Sequence, residues 1–188
     1  VIALEGAPPS ALSAVLEGEV KLVRQARHGD ESLLWIAEPG TWFGEYGVLT
    51  DERLLVTAIA KTPTRLLLLP KAELDRIVND EPLYFRHFAM LAIRRISNYV
   101  MAYIHANSLE PEARLRGQLF VLSQLKVDEL GARPPTELPY SQAELASLIG
   151  ASRQTVNQVL QPLVAKGLVE ARFKHISVLA PNEMLVGL

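Results

Sequence analysis

Arg153, Gln154, Asn157, Gln158 and Gln161 stand at i, i+1, i+4, i+5 and i+8 of a run whose remaining positions include the apolar Val156, Val159, Leu160, Leu163 and Val164. On a helix of 3.6 residues per turn that spacing separates a polar face from one that points to a core. A face that is merely solvated usually carries Lys and Glu. Forked guanidinium and amide groups instead match the donor and acceptor edges of guanine and adenine in the major groove of DNA. The chemistry implied is non-covalent base recognition.

Such a face needs a scaffold, and the flanking residues describe one. Ser141 and Glu144 form an S-x-x-E capping box that starts a first helix, and Leu145, Leu148 and Ile149 line its inner face. Gly150 can end that helix in the left-handed conformation, and Ser152 is placed to cap the second. Ser152 and Thr155, at the start of the second helix, suit phosphate contact or capping. Pro162 removes an amide inside the helix and predicts a kink just beyond the reading face. Lys166-Gly167 closes the helix. Strands over Leu168–Arg172 and Ile176–Leu179 then flank a hairpin tip, Phe173-Lys174-His175. Arg172, Lys174 and His175 on this wing can touch phosphates, which positions a module without reading sequence. From Tyr140 to Leu179 the chain has Arg153, Lys166, Arg172 and Lys174 against Glu144 and Glu170, so 4 − 2 = 2 surplus positive charges. The pattern is a winged helix-turn-helix. A winged-helix module packing on protein is the competing reading, and the Arg/Gln/Asn composition of the face favours DNA.

A second segment invites chemistry nearer the N-terminus. In Phe43-Gly44-Glu45-Tyr46-Gly47 two glycines allow close backbone approach to a bound group, and Glu45 between them is poorly suited to a core. The segment is expected to be a pocket-lining loop. Around it, short apolar runs at 11–16, 20–24, 33–37, 54–60 and 65–69 alternate with corners at Glu17-Gly18-Glu19, His28-Gly29-Asp30 and Pro39-Gly40. Even spacing of short strands suggests a small barrel or sandwich, serving either as a ligand container or as a platform.

Between the two lies a long helix, opened by Pro82 and running to about Ser108, after a short one over Lys71–Asn79. Phe85, Phe88, Ala92, Ile96, Tyr99 and Tyr103 form one apolar line, and Met90, Ile93, Val100 and Ile104 a second. A helix with two dry faces needs two partners. One face can cover its own barrel, while the first line is expected to pair with a second copy of the chain. Glu110-Pro111 interrupts the helix and serves as a hinge. Beyond it, a helix over Arg114–Val127 and a stiff loop, Gly131-Ala132-Arg133-Pro134-Pro135, lead to the reading head.

Composition narrows the field. Hydrophobic residues make up 49% of 188, enough for a real core, and a net charge of −2 argues against a protein that coats nucleic acid non-specifically. The absence of cysteine excludes disulfides, thiolate zinc sites and thiolate-held iron–sulfur clusters. No apolar run is long enough to span a membrane and no secretory leader opens the chain, so a cytoplasmic location is expected. Because it opens at Val1 and enters strand-like material almost at once, a further N-terminal segment is also expected. His87 and His105 are about 27 Å apart at about 1.5 Å per helical residue and cannot share a metal; one histidine could still ligate haem with a partner from another subunit or from a further N-terminal segment, but a surface or packing histidine is the favoured reading. No nucleophile elbow, paired His-Glu metal motif or phosphate-cradling loop points to an enzyme.

The order VLEGEVKLVR, EPGTWFGEYGVL, a long helix and SQAELASLIGASRQTVNQVLQPLVAKGLV resembles the Crp/Fnr superfamily over nearly the whole chain. The resemblance implies an α+β protein in three parts. Residues 1–81 would form an effector-sensing β-barrel, a cyclic-nucleotide-binding-like double-stranded β-helix. Residues 82–109 would be a dimerisation and coupling helix, and 110–188 a winged helix-turn-helix reading DNA through 152–165. It further implies a homodimeric transcription regulator of bacterial type whose partners are double-stranded DNA and RNA polymerase. Arg153 matches the family's first base-reading arginine, whereas Gln154 and Gln158 replace a Glu and a second Arg, which predicts a different half-site. In cyclic-AMP-binding members an Arg-Ser pair holds the cyclic phosphate and a Thr-Ser pair meets the adenine. Here those positions carry Arg53-Leu54 and Tyr99-Val100, while the ribose-holding Glu45 is kept. A buried anion needs both a cation and donors. The effector is therefore expected to be something other than cyclic AMP, with a true cyclic-AMP-dependent activator, or a module acting on a protein partner, as the alternative.

Overall fold

The computed structural model describes residues 1–25, 31–106, 110–130 and 136–185. Two compact units emerge, Val1–Arg95 and Ile96–Leu188. The corner His28-Gly29-Asp30 and the loop Gly131–Pro135 lie outside the described residues, as do the side chains of Tyr99 and His105.

The first unit begins with β1 (Ala11–Glu17), β2 (Val20–Gln25), β3 (Glu31–Ala37) and β4 (Trp42–Phe43). A short helix α1 (Glu45–Thr50), strands β5 (Thr57–Ala60) and β6 (Arg65–Pro70) and helix α2 (Lys71–Asp80) complete it, together with the first part of α3 (Leu83–Ala106). The strands form two antiparallel three-stranded sheets, ordered β4-β1-β6 and β3-β2-β5. This is the jelly-roll form of the expected barrel: the described strands make two sheets rather than one closed ring. Pairing of Leu12 with Leu69 and Ala14 with Leu67 sets the register of the first sheet. Leu12 joins Val48 of α1 and Leu74 of α2 in a buried cluster, onto which Trp42, Leu69, Phe88 and Leu91 pack. β1 is buried at four consecutive positions, Leu12 to Val15, and because successive strand residues point to opposite faces, both of its faces are covered.

That cluster corrects the expected dimer line. Phe88 faces its own β-domain, and Ala92 is half-buried. Phe85, Ile96 and Tyr103 are exposed, and so are Met90, Ile93, Val100 and Ile104, which the periodicity had set on the other face. The two apolar lines are only about 100° apart on the helix, so a boundary drawn from sequence alone cuts through the exposed face.

In the second unit α4 (Pro111–Leu130) starts on a proline, whose missing amide costs nothing at a first helical position. Strand β7 (Thr136–Leu138) precedes α5 (Gln142–Ile149) and α6 (Arg153–Ala165), and the hairpin β8 (Val169–Arg172) and β9 (His175–Val178) leads to a 3₁₀ turn over Pro181–Leu185. The sheet order is β7-β9-β8, so the strand entering the reading head pairs with the one leaving it. α4 packs against α5, α6, β7, β9 and the 3₁₀ turn. Buried Leu115, Leu119 and Leu122 from α4 share this unit's core with Tyr140, Leu145, Val156, Leu160, Leu163 and Met184. α6 continues through Pro162 to Ala165.

Candidate nucleic-acid interface and effector site

The reading head is held at both helix starts by side chains. Ser141 Oγ accepts a hydrogen bond from the Glu144 amide at 3.2 Å, and Glu144 Oε2 accepts one from the Ser141 amide at 2.8 Å, completing the capping box. Gly150 closes α5 at φ 61°, a left-handed conformation that glycine adopts without steric cost. Ser152 Oγ then accepts from the Thr155 amide at 3.0 Å and lies 2.8 Å from the Thr155 hydroxyl, so both side chains serve the cap of α6. Val156, Leu160 and Leu163 turn inward, whereas Arg153, Gln154, Asn157, Gln158 and Gln161 are exposed. Val164, expected in the core, is exposed, and the inward line of α6 runs instead through Val156, Leu160 and Leu163. Gln142 joins the polar face: its amide donates to Asn157 Oδ1 at 3.4 Å. Sequence periodicity missed Gln142, which sits at the first position of the other helix.

The wing is tighter than expected. His175 belongs to β9 and pairs with Arg172, leaving a two-residue tip of Phe173 and Lys174. Lys174 takes φ 60°, a region that non-glycine residues rarely occupy. Its Nζ lies 5.3 Å from the Phe173 ring centroid. Arg172 is paired with Glu170 at 3.0 Å, so part of the wing's positive charge is already compensated. Phe173 itself is 87% exposed; the sequence pattern set it at the hairpin tip but gave it no role.

In the first unit the expected loop at Phe43–Gly47 is instead the start of α1, and Glu45 is buried rather than unsuited to the interior. The reason is Arg95, which reaches in from α3. Its Nη1 lies 3.4 Å from Glu45 Oε2, its Nη2 donates to the Trp42 carbonyl, and its guanidinium carbon stands 4.3 Å from the Trp35 ring centroid. Glu45 Oε2 is in ion-pair range of Arg95 yet accepts no hydrogen bond. The signal for Arg95 was available: it follows Phe88 and Leu91 at i+7 and i+4 on the inward face, and a cation ending an apolar stripe calls for a buried anion.

The remaining pocket positions are occupied by internal contacts or face outward. Gly47 packs closely: a Cβ there would lie 2.8 Å from Pro9 Cβ and 3.0 Å from Leu54 Cδ2, so packing within the domain explains this glycine. Arg53 donates to the Gly6 carbonyl at 2.7 Å. Phe43 is buried, Leu54 half-buried and Tyr46 exposed, and Gly44 precedes α1 at φ 93°. Tyr99 and Val100 belong to the second unit, where Val100 is exposed.

Two capped helices, a sharp turn and a paired wing, following in the chain after a two-sheet module with helical covers, define a winged helix-turn-helix regulator with a cyclic-nucleotide-binding type of domain. Comparison with known proteins assigns the family. Residues 1–81 match the cyclic nucleotide-binding domain, and residues 113–185 the Crp-like helix-turn-helix domain. The chain is 33% identical over 159 residues to the cyclic AMP receptor protein of Thermus thermophilus, covering 85% of this chain and 70% of that one. It is 26% identical over 174 residues to the CRP-like cAMP-activated global transcriptional regulator of Mycobacterium tuberculosis, covering 93% and 78% respectively. The solved structure of FixK2 from Bradyrhizobium japonicum has the same fold, with a TM-score of 0.78 at 14% identity, over 97% of this chain and 89% of that one. The chain belongs to the Crp/Fnr family of DNA-binding transcription regulators. These relatives are regulators rather than enzymes. Among the described residues no helix is long and apolar enough to cross a membrane.

Proposed function

We propose that the protein is a homodimeric, cytoplasmic transcription regulator that reads a near-palindromic DNA site through α6 and acts together with RNA polymerase. The observation that carries this is the exposed Arg153, Gln154, Asn157 and Gln158 face, set on a helix capped by Ser152 and backed by a buried core. Residues 1–81 would serve as the sensory domain, 82–109 as the coupling helix and 110–188 as the reading head. Dimerisation would use the exposed Ile93, Ile96, Val100 and Tyr103, whose i, i+3, i+7, i+10 spacing is that of a coiled-coil seam. Two reading heads would then sit about 34 Å apart, one helical turn of DNA.

Base contacts fall to Arg153, Gln154, Asn157 and Gln158. Ser141, Ser152, Thr155, Arg172, Lys174 and His175 would lie along the phosphates. Selection from random duplex DNA tests this: a two-fold motif should emerge, and Arg153→Ala should weaken its binding by about 1–3 kcal/mol per half-site, the worth of one bidentate base contact. An unchanged motif at unchanged affinity would refute the assignment.

The effector differs from cyclic AMP, or none is needed. A cyclic phosphate requires a free cation and donors, yet Arg53 is engaged with the Gly6 carbonyl and Glu45 with Arg95. The second reading, a cyclic-AMP-dependent activator, draws on the names of the two relatives and on the retained Glu45. Calorimetry separates them: no saturable heat with cyclic AMP at micromolar concentration is expected, and such heat would favour the second reading.

A further inference from the structure

Among the described residues Phe173 is the most exposed large apolar side chain, at 87%, and it stands at the end of the wing. An isolated surface apolar residue needs no explanation, but this one is presented rather than left over. The two-residue turn places it at the tip, and its neighbour Lys174 adopts φ 60°, where a glycine or asparagine would ordinarily be found. Lys174 Nζ lies 5.3 Å from the ring centroid, His175 Nδ1 lies 3.4 Å from the Phe173 carbonyl oxygen, and Arg172, which precedes the tip, shares its charge with Glu170. An aromatic ring beside cationic groups is complementary to a nucleic acid, whose bases take the ring while its phosphates take the charge. β8 leaves the end of α6 within a few residues and packs on that helix. Four strand residues carry the tip about 13 Å from that end, comparable with the width of a major groove.

We propose, on the reading that α6 enters the major groove, that Phe173 is a minor-groove wedge. With α6 seated, the wing tip reaches over the adjoining phosphates and the ring inserts against a base step flanking the half-site. Apolar side chains used this way partly unstack a step and bend the duplex, and the cost is lowest at flexible pyrimidine–purine steps. The wing then adds a preference for deformable flanks to phosphate positioning, and Lys174 moves from the ring to a phosphate.

The test compares the full chain with Phe173→Ala and Lys174→Ala on the duplex selected by the wild-type protein, carrying 2-aminopurine at successive flanking steps. Wild type should raise 2-aminopurine fluorescence at one flanking step. Phe173→Ala should abolish that rise and weaken binding about 10-fold per half-site, the scale of one stacked base, while selecting the same central bases with the same salt slope. Lys174→Ala should retain the fluorescence rise and lower the salt slope by about one phosphate per half-site. Replacing a flanking TA step by a G·C-rich one should cost wild type affinity and leave Phe173→Ala indifferent. Because the side chain is exposed, its removal leaves the core untouched. Unchanged affinity and fluorescence in Phe173→Ala, with or without a defect in transcription that would assign the ring to a protein partner, overturns the wedge while leaving the DNA reading intact. A wild-type protein that retains no duplex DNA overturns both.

Discussion

The ion pair between Glu45 and Arg95 offers the sharpest physical test of the first unit. The two side chains are 9% and 11% exposed and their charged atoms are 3.4 Å apart. At an effective dielectric of about 20 the attraction amounts to about 5 kcal/mol, against a desolvation cost of several kcal/mol for each ion. The intact pair therefore stabilises little, whereas removing one partner strands a buried charge at a cost of about 3–5 kcal/mol. Arg95 retains the Trp42 carbonyl and the face of Trp35, which places Glu45→Gln near the lower end of that range. Arg95→Met strands a carboxylate that accepts no hydrogen bond at Oε2 and should cost at least as much. The double variant loses both charges, so its cost should fall well below the sum, leaving a coupling energy of about 2 kcal/mol. Both tryptophans, Trp35 and Trp42, lie in this unit, so their fluorescence during urea unfolding reports on it alone. A loss of about 3 kcal/mol should lower the melting temperature of a unit this size by about 12–24 °C. Single-variant costs that add to within about 0.5 kcal/mol would show that the pair is not coupled and refute the reasoning.

Two other substitutions probe packing and assembly. Gly47→Ala should destabilise the first unit by about 1–3 kcal/mol through overpacking against Pro9 and Leu54, measurable by the same unfolding assay. Ile96→Asp, which sets a charge in the exposed seam of α3, should halve the mass seen by light scattering and weaken operator binding about 100-fold through lost bivalency.

The reading head was legible because its signals are local. Ser141 with Glu144, Gly150 and Ser152 each act within one turn of chain, and the structure shows all three in those roles. β7 escaped notice because three residues carry no readable alternation. The site around Glu45 was half legible. Its glycines suggested an open loop, yet Gly47 is needed because Pro9 and Leu54, remote in sequence, close on it. Arg95 lies fifty residues downstream of Glu45, and no local pattern links a buried acid to a cation on another element. Nor could sequence decide which apolar line of α3 faces outward, because that depends on where Leu12, Val48 and Leu74 place their shared core.

The pairing of β7 with β9 has a mechanical corollary. The chain comes into the reading head and goes out of it through adjacent strands, and α4 is packed along both of them and both helices. Entry, exit and shaft are thereby bolted together. A displacement delivered to the Pro111 end of α4 would therefore be passed to the recognition helix and to the inner strand of the wing together.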